Sequence, residues 1–541
     1  MIKIKTKTSD HKDKFAETCS DIISGIISVF LTILVTVFPL ILHNNYIDIL
    51  QTKYQCYYVV MIGMFAVVLV LAMIMLIIDQ MEYHGNHMVV LIKKLHPENW
   101  KTTFCLADFA VIVFWLALLV STLQSKYLYE SFWGNEGRYS GLFLSTLYVI
   151  SYFVISRFWK ARGWILEVFL LTGLIICGIG ITDYFQMDIL NFRSGIKTEQ
   201  SVIFTSTLGN INTYTAYLAL MLGVAAAMFG TAKKTARVIW YYVCMVVGFF
   251  AIIMGCSDNA YLALGALFGF LPFLFFKSRM GIKRYLLMLA TFGTVIQCID
   301  LINRAYAEVV IGLDSLFQIL VNFSGLMYVV AALCAIYIAI LILDMKNQKV
   351  SDEPGAAPVR IWCGFLVICV LVVCFVMYDT NIADNGERYG SLGRYLIFND
   401  SWGTNRGYIW RKAVEIFQNF PLMNKLFGYG PETFGILTTG NFLMDMVSST
   451  QGQIFDNAHN EYLQYLVTIG ALGLITYLFF LVAAIWRMAR KRKENDYIAG
   501  CLFAVLCYSA QALVNLNLPI TAPIMWLLLS AGMAACREED I

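Results

Sequence analysis

The chain alternates long apolar runs with short polar breaks, and that alternation predicts its architecture. A helix that crosses a membrane needs about 20 mostly apolar residues. Fourteen stretches qualify, at 20–42, 57–79, 103–122, 140–157, 164–183, 210–229, 238–255, 259–276, 285–303, 323–343, 361–379, 461–486, 497–515 and 519–536. The first of them is too long for the apolar core of a cleaved signal, about 7–15 residues, and is expected to be retained as a span. One break stands apart, a hydrophilic stretch at 380–460. The pattern therefore predicts an all-α polytopic membrane protein of about 14 helices, with a large loop before the third-last helix. Its expected parts are 1–379 with helices 1–11, the loop 380–460, and 461–541 with helices 12–14.

Composition fits that class. The 541 residues are 59% hydrophobic and 14% charged, where a soluble protein is roughly a quarter charged. A net charge of +3 gives no reason to expect a nucleic-acid partner. Nearly all of the fourteen cysteines fall inside apolar runs, where they behave as small hydrophobes, so no disulfide framework is expected.

The placement of charge sets a topology. Short cytoplasmic loops are enriched in Lys and Arg. With the N-terminus in the cytoplasm, 27 of the 39 Lys and Arg fall inside, in segments such as "KKLHPENWK", "AKKTAR", "KSRMGIKR" and "RMARKRK". Both termini are then expected in the cytoplasm and 380–460 outside.

The candidate chemistry gathers at outside ends of spans. The stretch "DNAHNEY" puts Asp456, Asn457, His459, Asn460 and Glu461 at the mouth of the span 461–486. One reading is a helix cap, with Asp456 or Asn457 accepting from free N–H groups. The other is a histidine base at the membrane surface, whose pKa near 6.5 suits proton transfer at neutral pH. In "GTNRGYIWRKAVEIFQNFPLMNKLFGYGPETFG", Thr404 or Asn405 is expected to cap a helix that Pro421 stops. Arg411 and Glu415 are one turn apart and form a surface pair on the plain reading. Arg406 lies in the helix's first turn, and a guanidinium fork matches phosphate oxygens two at a time. Arg138, in "FWGNEGRYSG", is either such a cation or a residue that snorkels to the interface. "GNINTY", from Gly209, leads into another span.

Some chemistry is missing. There is no G-x-x-x-x-G-K-[ST] phosphate loop and no D-x-D. Only His43 and His459 fall outside, so a histidine metal site is not expected there. Acidic residues deep in the spans are scarce, which argues against the rival reading of a multi-span polysaccharide or small-molecule transporter.

Four stretches together resemble the superfamily of O-antigen ligases and polymerases, polytopic membrane glycosyltransferases. They are Arg138 to Gly141, then Gly209, Asn210, Ile211 and Asn212, then Arg406, Trp410, Pro421, Gly428 and Gly430, and last His459, Asn460, Leu463, Gly470 and Gly473. Ile211 departs from the family's usual proline. The resemblance implies a GT-C-like fold and a metal-independent transferase without cofactor. Its donor is a glycan on undecaprenyl pyrophosphate and its acceptor a glycan, lipid or protein, at the outer face of the bacterial cytoplasmic membrane. Ligase and polymerase differ only in acceptor. By that likeness Arg406 and His459 are catalytic, with Arg138 and Arg411 on the pyrophosphate. Asp456, Asn460 and Glu461 orient the imidazole, and Gly470 and Gly473 allow helices to approach closely.

Overall fold

The computed structural model describes residues 5–135, 137–313, 316–346, 353–492 and 495–540, with backbone alone for 5–13, 198 and 199. Lys3, Lys349 and Lys493, which count among the inside cations, lie outside the described residues. The chain is an all-α polytopic membrane protein. Among the described residues the only strands are Phe204–Thr205 and Gly209–Asn210, paired antiparallel just before a span.

Eleven described helices are long and apolar enough to cross a membrane. Helices also stand at the three other expected spans, but Leu142–Phe158 and Ala522–Glu538 have 17 residues each. Asn259–Phe270 is shorter still, because Pro272 starts a separate turn. The expected span 461–486 is two helices, Glu461–Thr468 and Gly470–Lys491.

The centre of the bundle is Ile211–Thr231, buried at every residue from Thr213 to Phe229. It is apolar on all sides, as a helix surrounded by others must be. Gly223 lets it lie backbone to backbone on Asp496–Gln511, where an added Cβ would sit 2.6 Å from Ala504 N and Phe503 O. Such close approach replaces the hydrophobic drive that lipid does not supply. By contrast, Leu326–Lys346 and Ala357–Asn381 bury none of their most apolar window and turn those side chains outward.

Within the bundle, several buried charged and amide side chains are paired. Lys53, fully buried, donates to the carbonyls of Phe38 and Pro39 at 2.8 Å. Asp108 accepts from Tyr152, Arg157 and Arg537, tying the last helix to the early ones. At the end of the bundle that meets the loop, Asn212, Thr215, Ser257, Asn259, Gln511 and Asn515 form one hydrogen-bonded network. Asn210, from the same "GNIN" stretch, caps the central helix through Asn212 N–H.

The long loop is folded, and it is fastened where the span breaks. Ile469 interrupts the helix, and Gly470 takes φ 75°. The carbonyl of Thr468 accepts from Gly430 N–H at 2.9 Å and from Ser121 Oγ at 3.0 Å. Gln124 and Ser125 donate to the carbonyls of Gly428 and Tyr429. A Cβ on Gly428 would collide with Thr468 and Ile469, and one on Gly470 with Leu426 and Gly428. Of the expected close-packing glycines, Gly470 therefore admits the loop backbone, while Gly473 faces the side chain of Ile469 at the break.

Gly470→Ala should be among the most damaging single substitutions outside the site. A left-handed residue bearing a Cβ costs about 1–2 kcal/mol before any clash. Gly265→Ala, where nothing lies within 4 Å of the new Cβ, should keep the melting temperature in detergent or raise it. A Gly470→Ala protein that melts with the wild type would show that the loop is not fastened here.

Candidate functional site

The loop's helix Trp402–Gln418 begins irregularly. Gly403, Thr404 and Asn405 are all left-handed, with φ of 59°, 62° and 66°, and the regular helix starts at Arg406. For the two non-glycine residues this is strained backbone. Neither Thr404 nor Asn405 caps the helix as expected; the Asn405 amide donates to Gln453 at 3.0 Å. A Cβ on Gly407 would enter the Asn399 carbonyl, so the chain must be glycine directly after the arginine. The helix ends at Gln418, before Pro421, as expected.

Four residues along, Trp410 reaches the histidine segment. Its indole N–H donates to the Ala458 carbonyl at 2.9 Å, and Gln464 accepts from Ala458 N–H at 3.0 Å. Asn457 accepts from His459 N–H at 3.0 Å, and His459 itself is left-handed, with φ 47°. The cap of the next helix is Asn460, which accepts from Tyr462 and Leu463 N–H. Asp456 and Asn457 are not the cap, and the His459 side chain has no part in it.

Arg138 arrives from the other half of the chain. Gly134 and Gly141 let the segment between them double back, since a Cβ on Gly141 would meet Phe132 and Gly134 backbone. This gives the spacing of Arg138 to Gly141 a physical reason. The guanidinium grips Asp456 at two points, Nε to Oδ2 at 3.0 Å and Nη2 to Oδ1 at 2.8 Å. That grip holds the Asp456 carboxyl below the usual range against the opposing effect of its burial.

The charges of two guanidiniums act on His459. Burial first, then the charges of Arg406 and Arg138, push its pKa down to about 4, with Asp456 opposing. The ring is therefore neutral at pH 7. Arg406, partly buried, has no hydrogen bond or ion pair to any described residue. Burial holds it below the usual guanidinium range, and Asp258, from the turn after Thr235–Met254, opposes the shift. An arginine fork without a partner, beside a neutral imidazole, is equipped to receive an anion.

Of the expected site residues, His459, Arg406, Arg138 and Asp456 come together. The three residues expected to orient the imidazole are engaged elsewhere: Asp456 on Arg138, Asn460 in the cap, and Glu461 with Tyr477 and Asn517. Arg411 faces outward and grips Asp400, not Glu415, in a half-exposed pair. The sequence reading missed Glu432, whose burial pushes its carboxyl up to about 7. Its one legible signal is an acid inside the turn "GYGPE". Among the described residues no three His, Cys, Asp or Glu side chains are grouped to hold a metal ion.

Residues 310–478 match the family model of O-antigen ligase. The matched stretch takes in Arg406, Trp410, Glu432, Asp456 and His459 together with the break at Ile469. Arg138 and the central helix lie outside it. The match supports the O-antigen ligase superfamily and, with the apolar helices, a multi-pass membrane protein of glycan transfer or polymerisation. No curated protein matches the chain.

Removing each paired arginine should separate the two ion pairs. Arg411→Ala should change stability by about 1 kcal/mol or less, as exposed pairs do. Arg138→Ala removes the less exposed guanidinium, 22% against 50% for Arg411, and with it packing as well as an ion pair, so it should cost more. Thermal unfolding in detergent measures both, and equal losses would contradict the geometry.

Proposed function

We propose that this protein transfers a glycan from undecaprenyl pyrophosphate to an acceptor hydroxyl at the outer face of the cytoplasmic membrane, as an O-antigen ligase-type enzyme. The match over residues 310–478 supports the reaction class. The observation that carries the residue assignment is Arg406, a partly buried guanidinium with no partner among the described residues, next to a neutral His459. Arg406 binds the pyrophosphate. Its charge counts for more as the sugar–oxygen bond breaks and the electron pair leaves on the phosphate. His459, uncharged, offers a ring lone pair to the acceptor hydroxyl and holds it in line with the anomeric carbon. Arg138 keeps Asp456 and the histidine segment in place and adds positive charge nearby. Arg411, already neutralised by Asp400, is the weaker candidate for the pyrophosphate.

Glycan transfer by purified variants at matched amounts tests this assignment. Lysine keeps the charge of Arg406 but loses the planar fork. Arg406→Lys should be markedly slower than wild type, and Arg406→Ala nearly inactive. His459→Ala should transfer markedly more slowly than wild type while remaining folded, since Asn460 carries the cap. Activity should survive EDTA. Near-normal transfer by Arg406→Ala would move the pyrophosphate to Arg138 or Arg411.

The same reading places both termini and residues 487–496 in the cytoplasm and 380–460 outside, on the strength of the Lys and Arg bias. In intact cells, a cysteine introduced at position 440 should react with an impermeant reagent and one at 492 should not. The reverse pattern would overturn the site's placement at the outer surface.

A further inference from the structure

Behind the Arg138–Asp456 pair lies a second group of polar residues that the reading above leaves idle. Glu432 follows the loop's fastening point, in a left-handed conformation with φ 59°. It is set there by Gly430, whose N–H is bound by Thr468 and whose carbonyl accepts from Thr433 Oγ1 at 2.7 Å. Strain of this kind in a non-glycine residue persists only where its surroundings impose it, and it gathers at functional sites. The Glu432 carboxylate makes no hydrogen bond or ion pair to any described residue. It lines a small cavity of about 30 Å³ with Asn457, Glu461 and Asn517, enough room for one water. Glu461 is only 1% exposed, and its Oε2 has no protein partner, while Oε1 holds Tyr477 and Asn517.

We propose that Glu432, rather than His459, takes up the proton that the acceptor hydroxyl loses. This rests on the transferase reading. The hydroxyl oxygen bonds to the anomeric carbon, its O–H bond breaks, and the proton moves to a Glu432 carboxylate oxygen. The bond from that carbon to the pyrophosphate oxygen breaks with its electron pair on the leaving group. One base takes one proton, and nothing else is consumed.

Two observations favour Glu432 over the histidine. His459 is buried near Arg406, a guanidinium with no partner among the described residues, and an imidazolium there would add a second unbalanced positive charge. Glu432 faces a guanidinium already neutralised by Asp456, so a negative carboxylate is tolerated and a neutral acid costs little. The groups around it are Arg138 before Leu142–Phe158, Tyr148 on that helix, Asp456 in the histidine segment, and Glu461 and Tyr465 on Glu461–Thr468. A carboxyl raised to about 7 is matched to proton uptake at neutral pH. It must be ionised to work, so transfer should rise with pH through about 7 and fall below it.

The test is single-turnover transfer by the full-length purified protein, with the polyprenyl-pyrophosphate glycan as donor, across about pH 5 to 9. Donor binding is measured separately. Wild type should show an acid limb near pH 7. Glu432→Gln keeps the shape and removes the base. It should bind donor within about two-fold of wild type, transfer at least about 100-fold more slowly at pH 8, and lack the limb. Glu432→Asp should transfer slowly and keep it. Transfer by Glu432→Gln within about ten-fold of wild type, or a limb that persists in it, would overturn the proposal in favour of His459. Should Glu432→Gln fail to accumulate, a full-rate Glu432→Asp without the limb overturns it. A wild-type protein that binds the donor and transfers nothing refutes the transferase reading itself, and the proposal with it.

Discussion

In lipid, a backbone carbonyl freed by a broken helix must find a partner inside the protein. The break at Ile469 frees the carbonyl of Thr468, and the loop answers with Gly430 N–H while Ser121 supplies a hydroxyl. The arrangement of the rest follows from this exchange. Gly428 and Gly470 are needed because two backbones touch at this point. Glu432 lies two residues beyond Gly430, and the histidine segment one short helix before Thr468. The segment that holds Glu432 and His459 is thereby fixed relative to the spans. A loop resting on side-chain contacts alone would lack that definition.

Charge is distributed so that similar residues have different tasks. Arg138 and Arg411 are each neutralised by one aspartate at two points, and Arg406 is not. Burial, and then the charge of Arg406 and Arg138, keeps His459 uncharged. A buried imidazole near a guanidinium unpaired among the described residues is a good acceptor of a hydrogen bond and a poor place to keep a proton.

Much of this was legible in the sequence, for physical reasons. Spans are read from apolar length because the bilayer imposes it, and helices stand at all fourteen expected positions. The break within 461–486 was not legible, because Ile469 and Gly470 are ordinary residues in an apolar run. What they do depends on Leu426 and Gly428, which press on them from forty residues away. The histidine segment was visible as a polar cluster, but its division of labour was not. Asn460 caps, Asn457 holds the turn and Asp456 binds Arg138, and composition cannot tell these apart. Trp410 could be paired with Arg406 by helical spacing, yet its bond to Ala458 is a tertiary fact. Glu432 stayed hidden because an acid after a Gly-Pro turn looks like solvent-facing loop.

Arg138 and Asp456 are 318 residues apart, and Ser121 and Thr468 are 347. A chain made from its N-terminus threads its early helices into the bilayer long before the partners of those residues exist. Contacts this distant in sequence also form late in folding. The loop is therefore synthesised with its anchoring carbonyl still on the ribosome, and Arg138 waits for Asp456 until more than three hundred further residues have been added. A truncated or stalled chain can occupy the membrane, but its loop is not yet fastened to the spans.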